Sequence, residues 1–382
     1  MSKYVGISVF SKGAIEITVA ESRITNIRPI PADPALPYIS PGFLDMQVNG
    51  YQGSDYSLED FSRAHLQKII AALSTAGTTQ HTATLVTGPQ ERILRSLEII
   101  SQSVEEDNDI RAALAGIHVE GPYISAEDGP RGAHDLCFVR NPDIEEFREW
   151  QDAANGMIKI VTLAPERKGA LEFIRYISKR GVVAAIGHTA ADPVTIQYAI
   201  QAGARLSTHL GNGSHAYLPR LRNYLWEQLA ADELWAGIIS DGHHLPASVI
   251  KVCIRSKGLA RLILVSDAAL LGGYAPGVYA WGNIDVEVHD DGHLGVANTP
   301  YLAGAGHLLD WDLPHFMMVS GCGLPDVIPL CTVNPAKLLG LEAQYGTFEI
   351  GAIANLVRFH YAHGDERFEI INTIRSGRKV FA

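Results

Sequence analysis

The sequence predicts an α/β fold: a (β/α)₈ TIM-like barrel with a small β-sandwich domain built from both chain termini. From residue 39 onward, short runs rich in Val, Ile and Leu alternate with segments of helical period, as repeated βα units do. Eight such runs can be counted, which is the number of strands that closes this type of barrel. The two ends of the chain instead carry short β-like runs without helices between them. They are therefore expected to pair into a separate β domain.

The predicted barrel strands are separated by segments of helical period. After the first strand, Leu66, Ile69, Ile70 and Leu73 recur at i, i+3, i+4 and i+7. This spacing predicts one apolar helix face against a sheet, and Gly77 follows as a stop signal. The eight candidate strands cover residues 39–49, 79–86, 114–120, 158–164, 182–188, 205–210, 235–241 and 261–267.

The remaining segments set the domain boundaries. Residues 1–40 and 345–382 are assigned to the small β domain, and residues 41–344 to the barrel. The Pro-rich stretch 29–38 is the expected crossover between the two. After the eighth strand, "IDVEVHDDGHLGV" has an Asp-Asp-Gly turn between alternating runs, which predicts a β-hairpin.

Composition and charge limit the kinds of molecule that the protein is expected to bind. The 382-residue chain is 47% hydrophobic and has a formal net charge of −11, with no basic stripe. A nucleic-acid or anionic-membrane surface is therefore not expected, and a small-molecule partner fits better. The N-terminus lacks a signal-peptide pattern, and no stretch of about 18 apolar residues occurs. We expect a soluble, cytoplasmic protein.

Polar residues concentrate at the predicted strand ends. One carboxylate and two imidazoles are a common ligand set for a catalytic zinc ion that keeps one position open, and a nearby Asp could serve as general base. Each residue alone has a structural reading, as a hydrogen-bonded His or a helix N-cap. Their coincidence at one face of the barrel favours a catalytic site. The residues at or just after strand ends are Glu120, His188, His209, His243, His244 and Asp267.

The first predicted strand ends in "PGFLDMQVNG", residues 41–50. In many hydrolases an opening of this kind ends in His-x-His and holds a metal. Here Gln47 and Asn49 stand at those two positions. The sequence therefore raises the question whether the metal ligands lie elsewhere.

An ordered series of motifs over nearly the whole chain resembles the N-acetylglucosamine-6-phosphate deacetylase family of the amidohydrolase superfamily. The resemblance implies a β-sandwich beside a barrel, a homodimer, and hydrolysis of the acetamide of an amino sugar. The motifs are "PGFLDMQVNG", "HVEGPYIS", "GAHD", "AIGHTAA", "STHLGNG", "SDGHHLP", "LVSDA", "YLAG", "VNPAKLLG" and "YGTFEIGAIANLV".

The resemblance also implies residue roles. Glu120, His188 and His209 match the metal ligands, and Asp267 matches the catalytic acid and base. His244 would polarise the substrate carbonyl, and His134 would contact the sugar. Members with Gln-x-Asn after the first strand bind one metal ion. Zn²⁺ is expected here, although Fe²⁺ and other divalent ions share these ligands. Gln47 and Asn49 would then form hydrogen bonds around the site or cap the strand.

The loop after the sixth strand departs from the family pattern. Members commonly read His-Leu-(Phe/Tyr)-Asn-Ala-Met there, whereas this chain reads "HLGNGSHAYLPRLRNYLW". Asn212 is kept and is expected to meet the substrate with the adjacent Gly213. By spacing from His209, Arg220 falls where the family's phosphate-binding Arg lies, and a guanidinium suits a phosphate dianion. The loop before His134 is slightly long, and its Arg131 is read as a surface residue.

Four functions remain open from the sequence. The leading one is metal-dependent deacetylation of N-acetylglucosamine 6-phosphate or an epimer. The altered loop leaves room for an unphosphorylated or differently substituted N-acyl amino sugar. Cyclic amide opening is disfavoured by "HVEGPY" and "SDGHH". A binding protein without catalysis is disfavoured because all the candidate ligands and Asp267 are present.

Overall fold

The main body of the protein is a parallel β-barrel. The computed structural model describes residues 1–282, 284–299 and 301–382. Within these ranges, eight strands form one sheet in which each strand pairs with the next along the chain. The sheet closes where Val48 and Ala268 form a parallel bridge. The strands, from first to eighth, are Phe43–Val48, Thr78–Val86, Leu114–Glu120, Ile158–Leu163, Val183–Ile186, Ala204–Ser207, Trp235–Ile238 and Leu262–Leu264.

The helices cover the outside of this barrel, so the predicted (β/α)₈ class is confirmed. The first one buries Leu66, Ile69, Ile70 and Leu73, as the spacing predicts, and ends before Gly77. A Cβ at Gly77 would lie 2.8 Å from Val357, so this position also needs a small residue. The α-helices within the described ranges are Arg63–Thr75, Gln90–Glu106, Asn108–Ala113, Ile144–Ala153, Ala170–Ser178, Pro193–Ala202, Tyr224–Ala230, Ala247–Lys257, Leu309–Ser320, Leu324–Val327 and Val333–Leu338.

A buried carboxylate joins the first barrel strand to the eighth. Asp45 is fully buried, and its Oδ1 accepts hydrogen bonds from the backbone N–H groups of Gln47 and Ser266, both at 3.2 Å. Burial raises the pKa of Asp45 to about 7, although these hydrogen bonds oppose the shift. The Asp267 N–H donates to the Gln47 carbonyl at 3.0 Å. Closure of the barrel therefore brings Gln47 beside Asp267.

The two chain termini form a second sheet, as predicted. It has the order Arg378–Phe381, Glu369–Arg375, Leu356–His360, Tyr38–Pro41, Ser2–Ser8, Ala14–Ala20 and Arg23–Pro29. Arg375 ties it to the barrel, because its Nε donates to the Thr79 carbonyl at 2.7 Å. Phe43 adds an apolar contact to Phe359 and Phe368. The domain boundaries at residues 41 and 344 stay a prediction.

The hairpin after the eighth strand is also as predicted. Strands Ile284–Val288 and Leu294–Val296 pair antiparallel, and Gly277–Trp281 adds a third strand. Among the residues described, no single helix is long and apolar enough to cross a membrane. Only one pair of helical segments in the described ranges, taken together, has the length and apolar composition for this. The pair covers residues 309–320 and 324–338 and is bent by 114° at the break.

Candidate functional site

Three side chains from three strand ends meet at the mouth of the barrel. Glu120 Oε1 lies 3.1 Å from His188 Nε2 and 3.0 Å from His209 Nε2, and the two imidazole nitrogens are 3.0 Å apart. All three residues are buried. The expectation that strand-terminal residues converge is therefore met for the three predicted metal ligands.

The triangle formed by Glu120, His188 and His209 offers the ligand atoms of a divalent cation site. His188 Nδ1 donates to the Pro130 carbonyl at 2.8 Å, which leaves a lone pair on Nε2 of the neutral ring. Two nitrogen lone pairs and a carboxylate oxygen repel one another unless a proton or a cation lies between them. A tetrahedral ion with bonds of about 2.0–2.2 Å separates its ligand atoms by about 3.3–3.6 Å. The three side chains would therefore have to move apart by only a few tenths of an ångström to bind such an ion.

The charge state of the triangle agrees with this assignment. Burial favours the neutral acid at Glu120, but the contacts with the His188 and His209 imidazoles outweigh it and hold the pKa of Glu120 well below its usual range. Burial likewise opposes the charge on His209, yet the Glu120 carboxylate raises the pKa of His209 to about 9. The Glu120 carboxylate thus favours a positive charge between these groups, which is the place that a metal ion would take.

The loop after the sixth strand packs directly on one of these ligands. A Cβ at Gly213 would lie 2.7 Å from His188 Nδ1 and 3.3 Å from the Pro130 carbonyl oxygen. Gly213 also has φ = +57°, which favours glycine. The residue predicted to meet the substrate therefore also leaves the space that the His188 ring occupies.

Three of the site residues have left-handed backbone conformations. The φ angles are 50° at His188, 28° at His209 and 51° at Asp267. For residues other than glycine such angles cost on the order of 1–3 kcal/mol each and occur preferentially at functional sites. Each angle turns the chain as it leaves a barrel strand, which directs the side chain across the mouth.

Asp267 lies beside the triangle and is held by the two amides of the first strand. Asn49 Nδ2 donates to Asp267 Oδ1 at 2.7 Å, and Gln47 Nε2 donates to the same oxygen at 3.0 Å. Gln47 Nε2 also lies 3.1 Å from Glu120 Oε1. Of the two roles considered for Gln47 and Asn49, the contacts favour hydrogen bonding around the site. Burial raises the pKa of Asp267 to about 6, and the negative charge of Glu120 adds to this effect.

His244 is oriented by a carboxylate to which the sequence analysis gave no role. Its Nδ1 donates to Asp241 Oδ2 at 2.7 Å, while Asp241 Oδ1 accepts the backbone N–H groups of His243 and His244. Burial opposes ionisation of Asp241, but the contacts with His244 hold its pKa well below the usual range. The Nε2 atom of His244 is thus available to a ligand. The Asp-x-x-His spacing in "SDGHH" was the available sequence signal.

Replacing Asp241 by Asn should reduce kcat about 10- to 100-fold, because one charged hydrogen bond is worth about 1.5–3 kcal/mol. The Asn Oδ1 can still accept both backbone N–H groups, so the turn itself should keep its shape. Steady-state kinetics and a thermal melt of the same preparation provide the check. An unchanged kcat in a folded Asp241→Asn protein would contradict a positioning role for Asp241.

His134 is a fourth imidazole at this site. Its Nδ1 is 2.8 Å from the Thr87 hydroxyl, and its Nε2 is 3.3 Å from His188 Nε2. Glu120, His134 and His188 also lie close enough together to share an ion. His209 lies closer to this pair, at 3.0 Å from both Glu120 Oε1 and His188 Nε2. Burial lowers the pKa of His134 to about 3, so its ring is neutral and suits a substrate contact.

The remaining predicted residues lie in the loops above the site. Asn212 Nδ2 is buried and has no hydrogen-bond partner within the described ranges, as expected of a group that meets a ligand. Arg220 is exposed, and among the described residues its guanidinium forms neither a hydrogen bond nor an ion pair. Arg131 pairs with Asp128 and donates to the His134 carbonyl, so it stabilises its own loop.

Comparison with known proteins decides the family. The amidohydrolase family model matches residues 38–380. The N-acetylglucosamine-6-phosphate deacetylase of Bos taurus is 34% identical over 90% of this chain and 83% of its own length. That of Bacillus subtilis strain 168 is 32% identical over 85% and 81%. This chain belongs to the N-acetylglucosamine-6-phosphate deacetylase family of the amidohydrolases. The resemblance carried by the motifs is thereby confirmed.

Solved structures of family members have the same architecture. The Mycobacterium smegmatis deacetylase, solved as a mutant in complex with N-acetyl-D-glucosamine-6-phosphate, superposes with a TM-score of 0.87 at 28% identity, and the match covers 100% of both chains. The Thermotoga maritima deacetylase superposes with a TM-score of 0.85 at 25% identity over 98% of both. The family fold therefore extends through both the barrel and the terminal sheet.

Proposed function

We propose that the protein hydrolyses the acetamide of N-acetylglucosamine 6-phosphate to the amino sugar phosphate and acetate. The observation that carries the proposal is the convergence of Glu120, His188 and His209 beside the restrained carboxylate of Asp267. The names of the curated relatives support the same substrate. We also propose that these three residues hold one divalent ion, with Zn²⁺ as the first candidate.

When bound, that ion would supply a water molecule of lowered pKa and polarise the acetamide carbonyl. Asp267 accepts the proton of the attacking water, because Gln47 and Asn49 fix one carboxylate oxygen and leave the other for proton transfer. His244, doubly protonated while its Nδ1–H is held by the Asp241 carboxylate, donates from Nε2 to the carbonyl oxygen as negative charge develops there. Asp267 then returns the proton to the departing amine nitrogen.

Substrate orientation is assigned to the loops above these residues. His134 presents a neutral imidazole to the sugar, and the unpartnered Asn212 amide is available for a further hydrogen bond. Arg220 is proposed to bind the 6-phosphate. A homodimer and a cytoplasmic location are proposed on the family resemblance, and light scattering on purified protein would test the first of these.

A second substrate class follows from one specific feature. Arg220 is exposed on the loop that departs from the family pattern. If this guanidinium does not reach the ligand, the substrate is an unphosphorylated or differently substituted N-acyl amino sugar hydrolysed by the same residues.

Acetate release from N-acetylglucosamine 6-phosphate and from N-acetylglucosamine, measured side by side with the zinc-loaded protein, separates the two. We expect about a 10- to 100-fold higher kcat/KM for the phosphate ester, since a charged hydrogen-bonded pair is worth about 1.5–3 kcal/mol. Arg220→Gln should lower kcat/KM for the phosphate ester and leave kcat/KM for the unphosphorylated sugar unchanged. Arg205→Gln is the control, because it makes the same change on a barrel strand away from this loop, and it should leave both values unchanged. Equal rates on both sugars would favour the second substrate class.

A further inference from the structure

A second group of metal-binding side chains lies outside the catalytic triangle. His243 follows the seventh barrel strand, while Asp291 and His293 lie at the tip of the hairpin after the eighth. One donor atom from each residue lies within 4.8 Å of the others. We propose that these three residues bind a second, peripheral divalent transition-metal ion such as Zn²⁺. This inference is independent of the proposed reaction.

The donor set suits such an ion. Two imidazoles and one carboxylate are the ligands of many zinc sites and also fit Ni²⁺ and Cu²⁺. Asp291 faces both rings, because its Oδ1 is 2.6 Å from His293 Nδ1 and its Oδ2 is 3.7 Å from His243 Nε2. In the first of these contacts a proton joins ring and carboxylate, and a metal ion would replace it.

The tight hairpin turn brings these donors to one side. Gly292, with φ = +88°, lies between Asp291 and His293, and a Cβ there would be 2.9 Å from His307 Cε1. The His293 ring stacks on that of His243, with centroids 4.3 Å apart and planes at 23°. The "HDDGH" segment, whose sequence predicts only a turn, therefore faces a strand end of the barrel.

Neighbouring imidazoles enlarge the cluster. The His289 ring stacks on His293 at 3.9 Å and 7°, and the His307 ring is nearly parallel to His243 at 5.9 Å. His307 Nε2 is buried and has no hydrogen-bond partner within the described ranges. The unpartnered nitrogen therefore belongs to a side chain that packs parallel to His243, one of the three donors, and a ligand at the cluster could satisfy it.

An ion at this cluster would connect the hairpin to the turn that carries His244. Asp241 accepts the backbone N–H groups of both His243 and His244, and Trp311 Nε1 donates to the Asp241 carbonyl at 3.1 Å. Trp311 in turn stacks on His307, with centroids 4.2 Å apart. The peripheral ion would therefore restrain the hairpin against the barrel mouth without contacting Glu120.

Metal stoichiometry tests the proposal directly. The full chain without an affinity tag is stripped with a chelator and dialysed against micromolar Zn²⁺, and bound zinc is measured by mass spectrometry. We expect about two ions per chain for the wild type and about one for the double variant Asp291→Asn/His293→Gln. Glu120→Gln should lose the other ion, so the two sites are counted separately. His363→Gln, the same change at an exposed histidine, should keep both.

His243→Gln serves as the second variant, because it removes a ligand from the barrel side and leaves the hairpin turn unaltered. It should also bind about one ion, and a thermal melt shows whether each variant is folded. One ion per wild-type chain would overturn the proposal. Two ions in either folded variant would overturn it as well. Neither result would bear on the deacetylase reaction, which is measured by acetate release.

Discussion

An Asp267→Asn protein is expected to fold and bind its catalytic metal while losing about 10³-fold or more of its turnover, since a positioned general acid–base group contributes about 10²–10⁴-fold. The Asn Oδ1 can accept the same hydrogen bonds from Gln47 and Asn49 that hold the carboxylate now. The substitution replaces the second carboxylate oxygen, which takes up the proton, by an NH₂ group that cannot. Acetate release, metal content and a thermal melt measured on one preparation test all three parts.

Asp152→Asn provides the matched control for this experiment, since it is the same change at an exposed position near the end of a helix. It should keep full activity. A folded, metal-loaded Asp267→Asn protein with near wild-type turnover would remove Asp267 from the mechanism. Loss of metal together with turnover would instead make Asp267 part of the metal site.

Glu120→Gln should weaken binding of the catalytic metal by more than about 100-fold, which exceeds the usual cost of losing an outer hydrogen-bonding partner. The substitution removes the negative charge that lies between His188 and His209. Without it, two imidazoles and a neutral amide remain around a divalent ion. Competition with a zinc-binding dye measures the affinity, and acetate release should fall in parallel.

Glu98→Gln, exposed on the helix Gln90–Glu106, is the control of the same residue type and should leave both quantities unaltered. Unchanged zinc affinity of the catalytic site in a folded Glu120→Gln protein would show that the ion is held by another set of residues. His134 would then be the first candidate, because it is the remaining imidazole in contact with His188.

The strand ends of the barrel could be located from the sequence because apolar strands stop abruptly at polar residues. Glu120, His188, His209 and Asp267 each follow such a run, and parallel strands deliver their carboxyl ends to one face. The same logic predicted the first helix and the hairpin turn. These features depend on residue types over short windows, where periodicity carries the information.

Other features depend on contacts between distant segments, which periodicity does not encode. The sequence leaves open whether Gln47 caps its strand or forms hydrogen bonds around the site, and its contact with Asp267 depends on the closure of the barrel. Gly213 was read as a substrate contact, and its packing against His188 follows from how two loops meet. His293 and His243 are 50 positions apart along the chain, so their stacking could not be inferred from either motif.

Backbone stability and function favour different residues at three positions with a left-handed backbone, which are His188, His209 and Asp267. Glycine at any of them would relieve backbone strain on the order of 1–3 kcal/mol, although the greater flexibility of glycine in the unfolded chain offsets part of this gain. It would also remove a group on which the chemistry depends. Selection that includes turnover is therefore what holds the three side chains at these strained positions.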